Sequence, residues 1–307
     1  MVTTRSMAAQ AVAAVDKLDI CFIVDCTSSM GKYINECKAS IHRIVRTVAQ
    51  ERCEVRFALV EYRDYGPWGS PIDYGFVQRS HPFTSDHVQM QSYVDMMEPI
   101  GGGDNPEVVC CGLTSALQLA WEPNAAKLAI LIADAPPHGL GEHGDDHPNG
   151  APCAHDPLEV ARAMKAMGIS IFPVACEPCI SNYYNFAADF MVAVADITNG
   201  VCVPLGNAAL LSDFIVGAAR QQMDRAKLAA AVAAAKKEVQ GQRVRAGMPA
   251  VPVSAADREG FSCEVIVRVK GAVRATRGVK PNATVVSVNH EKMATCESLG
   301  AWRSLAV

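Results

Sequence analysis

No apolar run in this chain approaches the roughly 20 residues that a membrane-crossing helix needs. Ala129-Ile130-Leu131-Ile132-Ala133 has the length of a core strand, and no membrane crossing is expected. A phosphate-cradling Gly-x-x-x-x-Gly-Lys segment is missing, which removes the usual nucleotide-hydrolase signature. There is no internal repeat, which argues against a solenoid or propeller. Aromatic residues make up only 6% of the chain. Beyond residue 222 they are reduced to Phe261 and Trp302, too few for the stacking platforms of single-strand nucleic-acid binders. No acid precedes Asp16, so the first residues pass weakly for a transit peptide, with a frayed terminal tail over 1–17 as the plainer reading.

What is present is an ordinary globular composition: 307 residues, 50% hydrophobic and 20% charged, enough for one full α/β core and a smaller appendage. The twelve cysteines lie singly on strand-like and helix-like runs (Cys21, Cys53, Cys110, Cys111, Cys202) instead of framing short loops. Such thiols suit a reducing compartment, and the cytoplasm is the expectation. Net charge divides sharply. Residues 1–222 carry 14 Lys+Arg against 25 Asp+Glu, and residues 223–307 carry 14 against 7. The two parts therefore have different partners, or one docks on the other.

Leu18 to Val24 is an apolar run ending on Asp25, Thr27 and Ser29. It reads as a buried strand delivering polar groups to a sheet edge, where open α/β sheets keep their sites. A one-sided stripe of Ile34, Cys37, Ile41, Ile44, Val45 and Val48 predicts a helix packed on that sheet. Further strands are expected at 55–62, 76–81, 127–133, 169–175 and 200–204. Helices are expected from Ser85 to Met97, from Pro106 through Glu107 to Ala120, over 157–167 and over 182–198. Six strand-like runs alternating with helices define a doubly wound, mostly parallel α/β sheet over 18–222. From Asn207 an Ala-rich pattern predicts a long helix, projecting over 223–247. Alternation in 262–270 and 283–288 predicts a small β-rich region over 248–307.

The carboxylate of Asp25 and the hydroxyls of Thr27 and Ser29 offer only hard oxygen donors, which suit Mg²⁺ or Mn²⁺ and not a thiolate metal. Taken alone, these residues fit a helix cap equally well. The Gly101-Gly102-Gly103-Asp104-Asn105-Pro106-Glu107 segment and Asp134, at the end of an apolar strand, add acids at two more loops. Elsewhere, the loop from His138 to Asp156 has zinc-compatible residue types, but a solvated loop with Asp156 capping the next helix is the preferred reading. Cys176-x-x-Cys179 lacks two obvious further zinc ligands, with Cys153, His155 and Cys202 as the conceivable ones.

Together, Asp25-x-Thr27-x-Ser29-Met30, Gly101-Gly102-Gly103-Asp104-x-Pro106-Glu107 and Asp134 resemble the von Willebrand factor A-type (vWA, integrin I-like) domain and its metal-ion-dependent adhesion site, the MIDAS. Residues 18–222 look like the A-type domains of alpha-kinase-associated proteins, which share the pattern of Ala133-Asp134-Ala135-Pro136-Pro137-His138-Gly139 and His155-Asp156-Pro157-Leu158-Glu159. The 85 residues after 222 are too few for an alpha-kinase catalytic domain. The resemblance implies Asp25, Thr27, Ser29, Glu107 and Asp134 as ligands of Mg²⁺ (or Mn²⁺/Ca²⁺), with Asp134 acting through water and Asp104 as the alternative to Glu107. A neighbouring second metal site is not expected, since its acids would fall at Lys32 and Tyr33.

The implied function is a non-catalytic, cation-dependent protein-binding and scaffold module, a subunit of a larger complex, gripping an Asp or Glu of a protein partner. The basic helix and β region would supply further protein contacts, in preference to nucleic acid. Two rivals stand beside it. One is a metal-dependent phosphohydrolase using Asp25 as nucleophile, disfavoured because Thr27 stands where such enzymes place a second Asp. The other is a purely structural subunit.

Overall fold

The structure, a computed structural model, describes residues 17–51, 53–66, 75–206, 208–245 and 289–306. Six strands form one sheet: β1 (Lys17–Asp25), β2 (Glu54–Tyr62), β3 (Gln78–Thr84), β4 (Ala126–Ala133), β5 (Ile169–Ala175) and β6 (Val203–Pro204), in the order β3-β2-β1-β4-β5-β6. All neighbours are parallel except β2 and β3. This is the doubly wound α/β sheet expected from the sequence. The antiparallel β3 lies at the edge and tolerates Pro82, because an edge strand needs partners on one side only.

The central strands are buried on both faces, so their side chains divide between two cores. Leu18, Ile20, Phe22 and Val24 of β1 join Leu128, Ile130 and Ile132 of β4 on one face; Cys21 and Ile23 join Ala129 and Leu131 on the other. Helix α1 (Ile34–Val48) seals the first face through the predicted stripe. Helices α2 (His87–Asp95), α3 (Val109–Leu117), α4 (Pro157–Ala166), the single turn α5 (Cys179–Asn182) and α6 (Ala187–Thr198) complete the layers. Asp86 and Asp156 cap α2 and α4, each accepting two backbone N–H groups. The helix expected over 182–198 is broken in two, with 183–186 between α5 and α6.

Helix α7 (Ala208–Arg245) is the long helix predicted. Phe214, Ile215, Ala218, Ala219 and Met223 are buried against the first face, whereas Lys236, Lys237, Glu238 and Arg245 are exposed. The strands expected at 262–270 and 283–288 lie outside the described residues. The end of the region read as β-rich is helical: α8 (His290–Thr295) and α9 (Leu299–Ala306). These helices pack on the second face, burying Met293, Leu299 and Trp302. Arg162 holds the carbonyls of Ala294, Cys296 and Glu297, and Asp156 accepts the Leu299 N–H at 2.6 Å. No helix among the described residues is long and apolar enough to cross a membrane.

Candidate functional site

The sheet order reverses at β1, between β2 and β4, and the loops at the carboxyl ends of these strands meet there. Asp25 is the last residue of β1 and fully buried. Its Oδ1 accepts the Thr27 N–H at 2.9 Å and the Thr27 Oγ1 hydroxyl at 2.7 Å, folding the chain into a short turn that starts the 3-10 segment Ser28–Lys32. Ser29 Oγ lies 3.1 Å from Thr27 Oγ1 and donates to Asp134 Oδ1 at 2.8 Å. Asp134 follows β4 directly, so the pairing of β1 with β4 sets this contact.

The glycine segment folds over the same edge. Ile100 N–H donates to Cys26 O at 3.0 Å and Ser28 N–H donates to Gly101 O at 2.8 Å. Gly101 and Gly102 have φ of +93° and +88°, a left-handed backbone that favours glycine. A Cβ at Gly102 would stand 2.9 Å from Glu107 Oε1 and 3.4 Å from Thr27 Cβ, so the missing side chain is what lets Glu107 reach Thr27.

Glu107 does not lie on a helix, contrary to expectation. Its N–H donates to Pro136 O at 2.9 Å and its carbonyl accepts His138 N–H at 3.3 Å, forming an isolated parallel bridge beyond β4. With both backbone groups committed to that bridge, α3 starts at Val109. The bridge sets Glu107 beside the segment that follows Asp134.

Asp25, Thr27, Ser29, Glu107 and Asp134 are thus brought together from three loops. One oxygen on each acid, Asp25 Oδ2, Glu107 Oε2 and Asp134 Oδ2, is buried without a hydrogen-bond partner. Burial pushes the Asp25 carboxyl well up, and the neighbouring Asp134 pushes it further. Glu107 is raised by burial, then by Asp25, Asp64 and Asp104; Asp134 is raised by burial. Hard oxygen donors around uncompensated negative charge fit a divalent cation in this place.

Asp104 belongs to an adjoining group. Its Oδ2 accepts the Asp146 N–H at 2.6 Å and lies 3.7 Å from His138 Nδ1, and its Oδ1 is buried without a partner. Burial raises its carboxyl to about 7. His138 stands 2.8 Å from Asp64 through Nε2 and 2.9 Å from Asp145 through Nδ1. Burial alone would lower its pKa, but these two hydrogen bonds and the charges of Asp64 and Asp104 raise it to about 9. As an imidazolium, His138 donates from both nitrogens. Asp64, Asp104 and His138 bring ligand atoms within 4.8 Å of one another, but a ring with both nitrogens turned to carboxylates acts as a charged brace and has no lone pair for a metal.

Asp64 was not picked out in the sequence, and His138 and Asp145 entered only as part of a loop with zinc-compatible residue types read as solvated; both side chains are in fact buried. The available signal was positional: Asp64 follows the end of β2, and His138 closes the Pro136-Pro137 turn after β4. Cys176 and Cys179 stay apart from Cys153; the thiols that gather among the described residues are Cys110, Cys111 and Cys153.

The arrangement defines an open, doubly wound α/β domain with an acidic cluster at its topological switch point. Residues 19–140 match the family model of the von Willebrand factor A domain. The chain contains a von Willebrand factor A-type domain. It is 30% identical over 147 residues to the alpha-protein kinase vwkA of Dictyostelium discoideum, a match covering 47% of this chain and 23% of that protein. The chain therefore spans less than a quarter of that relative. Its fold is similar to the pilus adhesin SpaC of Lactobacillus rhamnosus GG in an open conformation, with a TM-score of 0.51 and 13% identity over 68% of this chain and 30% of that one. A von Willebrand factor type A structure from Catenulispora acidiphila superposes at a TM-score of 0.46 with 14% identity, over 68% of this chain and 43% of that one.

Proposed function

We propose that this chain is a non-catalytic protein-binding and scaffold module, and that its vWA domain takes an acidic side chain of a partner through a divalent cation, Mg²⁺ first among the candidates. The carrying observation is the set of unpartnered buried oxygens on Asp25, Glu107 and Asp134. Three carboxylates held in one buried place repel one another, and a cation offsets that cost.

In this reading Asp25, Thr27, Ser29 and Glu107 hold the ion, and Asp134 acts from behind Ser29. Asp104, engaged with Asp146 and His138, stands outside the set. When bound, the ion supplies a Lewis-acidic position that a partner's Asp or Glu fills. Thr27 and Ser29 orient the carboxylates through their hydroxyls, and Gly102 leaves the room that the Glu107 carboxylate needs.

The organisation proposed is a vWA domain over 18–222, a projecting helix over 223–247 and a C-terminal region over 248–307. The basic part beyond residue 222 provides contacts for other subunits of a complex. The buried thiols suit a reducing compartment such as the cytoplasm.

Thermal unfolding with Mg²⁺ and with EDTA, on wild type and Asp25→Ala/Glu107→Ala, tests the cation. Affinity capture from the same four conditions tests the partner. A melting temperature indifferent to Mg²⁺, or partners retained in every condition, would overturn the reading.

A further inference from the structure

Cys110 and Cys111 sit in the first turn of α3, three and four residues after Glu107, and Cys153 lies in the loop between β4 and α4. The fold brings these three thiols together across more than 40 residues of chain. Cys110 Sγ is 3.2 Å from Cys153 Sγ and 4.0 Å from Cys111 Sγ, and all three sulfurs lie within 4.8 Å of one another. Cys110 and Cys111 are buried and Cys153 is half-buried.

A pair of close thiols points to a disulfide, but a converging triplet points to a metal. Zn–S bonds of about 2.3 Å place tetrahedral sulfurs roughly 3.8 Å apart, close to the spacing seen here. Sulfur donors select soft cations and reject Mg²⁺ and Ca²⁺. The donor set is therefore chemically orthogonal to the oxygen cluster at the end of β1.

We propose that Cys110, Cys111 and Cys153 form a thiolate site for a thiophilic d¹⁰ cation, Zn²⁺ or Cu⁺. Binding displaces the thiol protons and closes three S–metal bonds with no change of oxidation state. For Cu⁺ three thiolates complete the sphere; for Zn²⁺ the fourth position falls to water or to the neighbouring His155. The metal would staple the first turn of α3 to the 139–156 loop, and so fix the segment that carries Asp145 and Asp146. The inference stands apart from the proposed function, because none of its ligands belongs to the oxygen cluster.

The test uses the reduced, metal-stripped full chain, loaded anaerobically with Zn²⁺ or Cu⁺ in separate arms, with Co²⁺ as a spectroscopic probe. Expected are one equivalent of Zn²⁺ or Cu⁺ retained against excess Mg²⁺, and a near-ultraviolet thiolate charge-transfer band with Co²⁺. Both should disappear in Cys110→Ser/Cys111→Ser/Cys153→Ser and persist in Asp25→Ala. If the triple variant does not fold, alkylation of Cys153 in the wild-type chain decides: metal should slow it at least tenfold while Cys179 is labelled at an unchanged rate. Equal metal retention without the three thiols, or unchanged Cys153 labelling, would overturn the site. So would a Cys110–Cys153 disulfide in protein that takes up no metal after reduction, which would make the triplet a redox pair.

Discussion

Ser29 and Asp134, 105 residues apart, are joined by a 2.8 Å hydrogen bond from the serine hydroxyl to Asp134 Oδ1. That bond ties the turn after β1 to the end of β4 and sets the spacing of two acids. Ser29→Ala should cost about 1 kcal/mol of stability in EDTA, the usual net value of one such bond. In the proposed cation site the same change should also reduce the melting-temperature gain produced by Mg²⁺. Denaturant melts with and without Mg²⁺ separate the two effects.

Gly102→Ala places a Cβ 2.9 Å from Glu107 Oε1 at a backbone φ of +88°. Both effects act in one direction, and a loss of about 1–3 kcal/mol is expected. Gly103→Ala, whose Cβ would meet nothing within 4 Å, is the matched control and should stay within about 1 kcal/mol of wild type. Equal losses in both variants would refute the steric account.

Without metal, stability should fall as pH rises. His138 has its folded pKa raised from 6.5 to about 9, so its contribution is complete below pH 6.5 and is lost as pH climbs through 9. Asp104, raised from 3.8 to about 7, adds a slope of the same sign between those values, because the folded state holds its proton longer. The His138 part amounts to at most about 3 kcal/mol. His138→Gln should flatten the melting-temperature profile between pH 6.5 and 9 in EDTA. An unchanged profile would show that the imidazolium does not brace Asp64 and Asp145.

Trp302 is buried and packs edge-on against Phe186, with ring centroids 5.8 Å apart. Trp302→Ala should cost about 3–5 kcal/mol, the range for a large aromatic lost from a core. Arg162→Ala should loosen the same segment by freeing three carbonyls. Hydrogen exchange across α8 and α9 should rise in both variants.

Much of this architecture was legible in the residues. The β1 run and the α1 stripe carry periodicities that only a buried strand and a sheet-packed helix satisfy, and Asp156 reads as a cap because Pro157 follows it. The grouping of Asp25, Thr27, Ser29, Glu107 and Asp134 was implied by the resemblance to the A-type domain, since the residues alone showed only hard oxygen donors at three separate loops. What stayed hidden depends on tertiary partners. Glu107 leaves the helix because distant Pro136 and His138 claim its backbone. His138 and Asp145 read as a polar loop, since nothing local shows that Asp64 approaches from β2. Trp302 read as a stray aromatic because the face it covers is assembled from α4 and α6.

The docking of α8 and α9 also bears on the order in which the chain can become native. Met293, Leu299 and Trp302 complete the second core, and Asp156 uses one carboxylate oxygen to cap α4 and the other to receive Leu299. During synthesis, β1 to α7 emerge first, and the second core then lacks part of its lining until α8 and α9 leave the ribosome. That interval presents an apolar surface to chaperones. A stop codon before Asn289 would make the exposure permanent, turning a small truncation outside the acidic cluster into a defect of solubility.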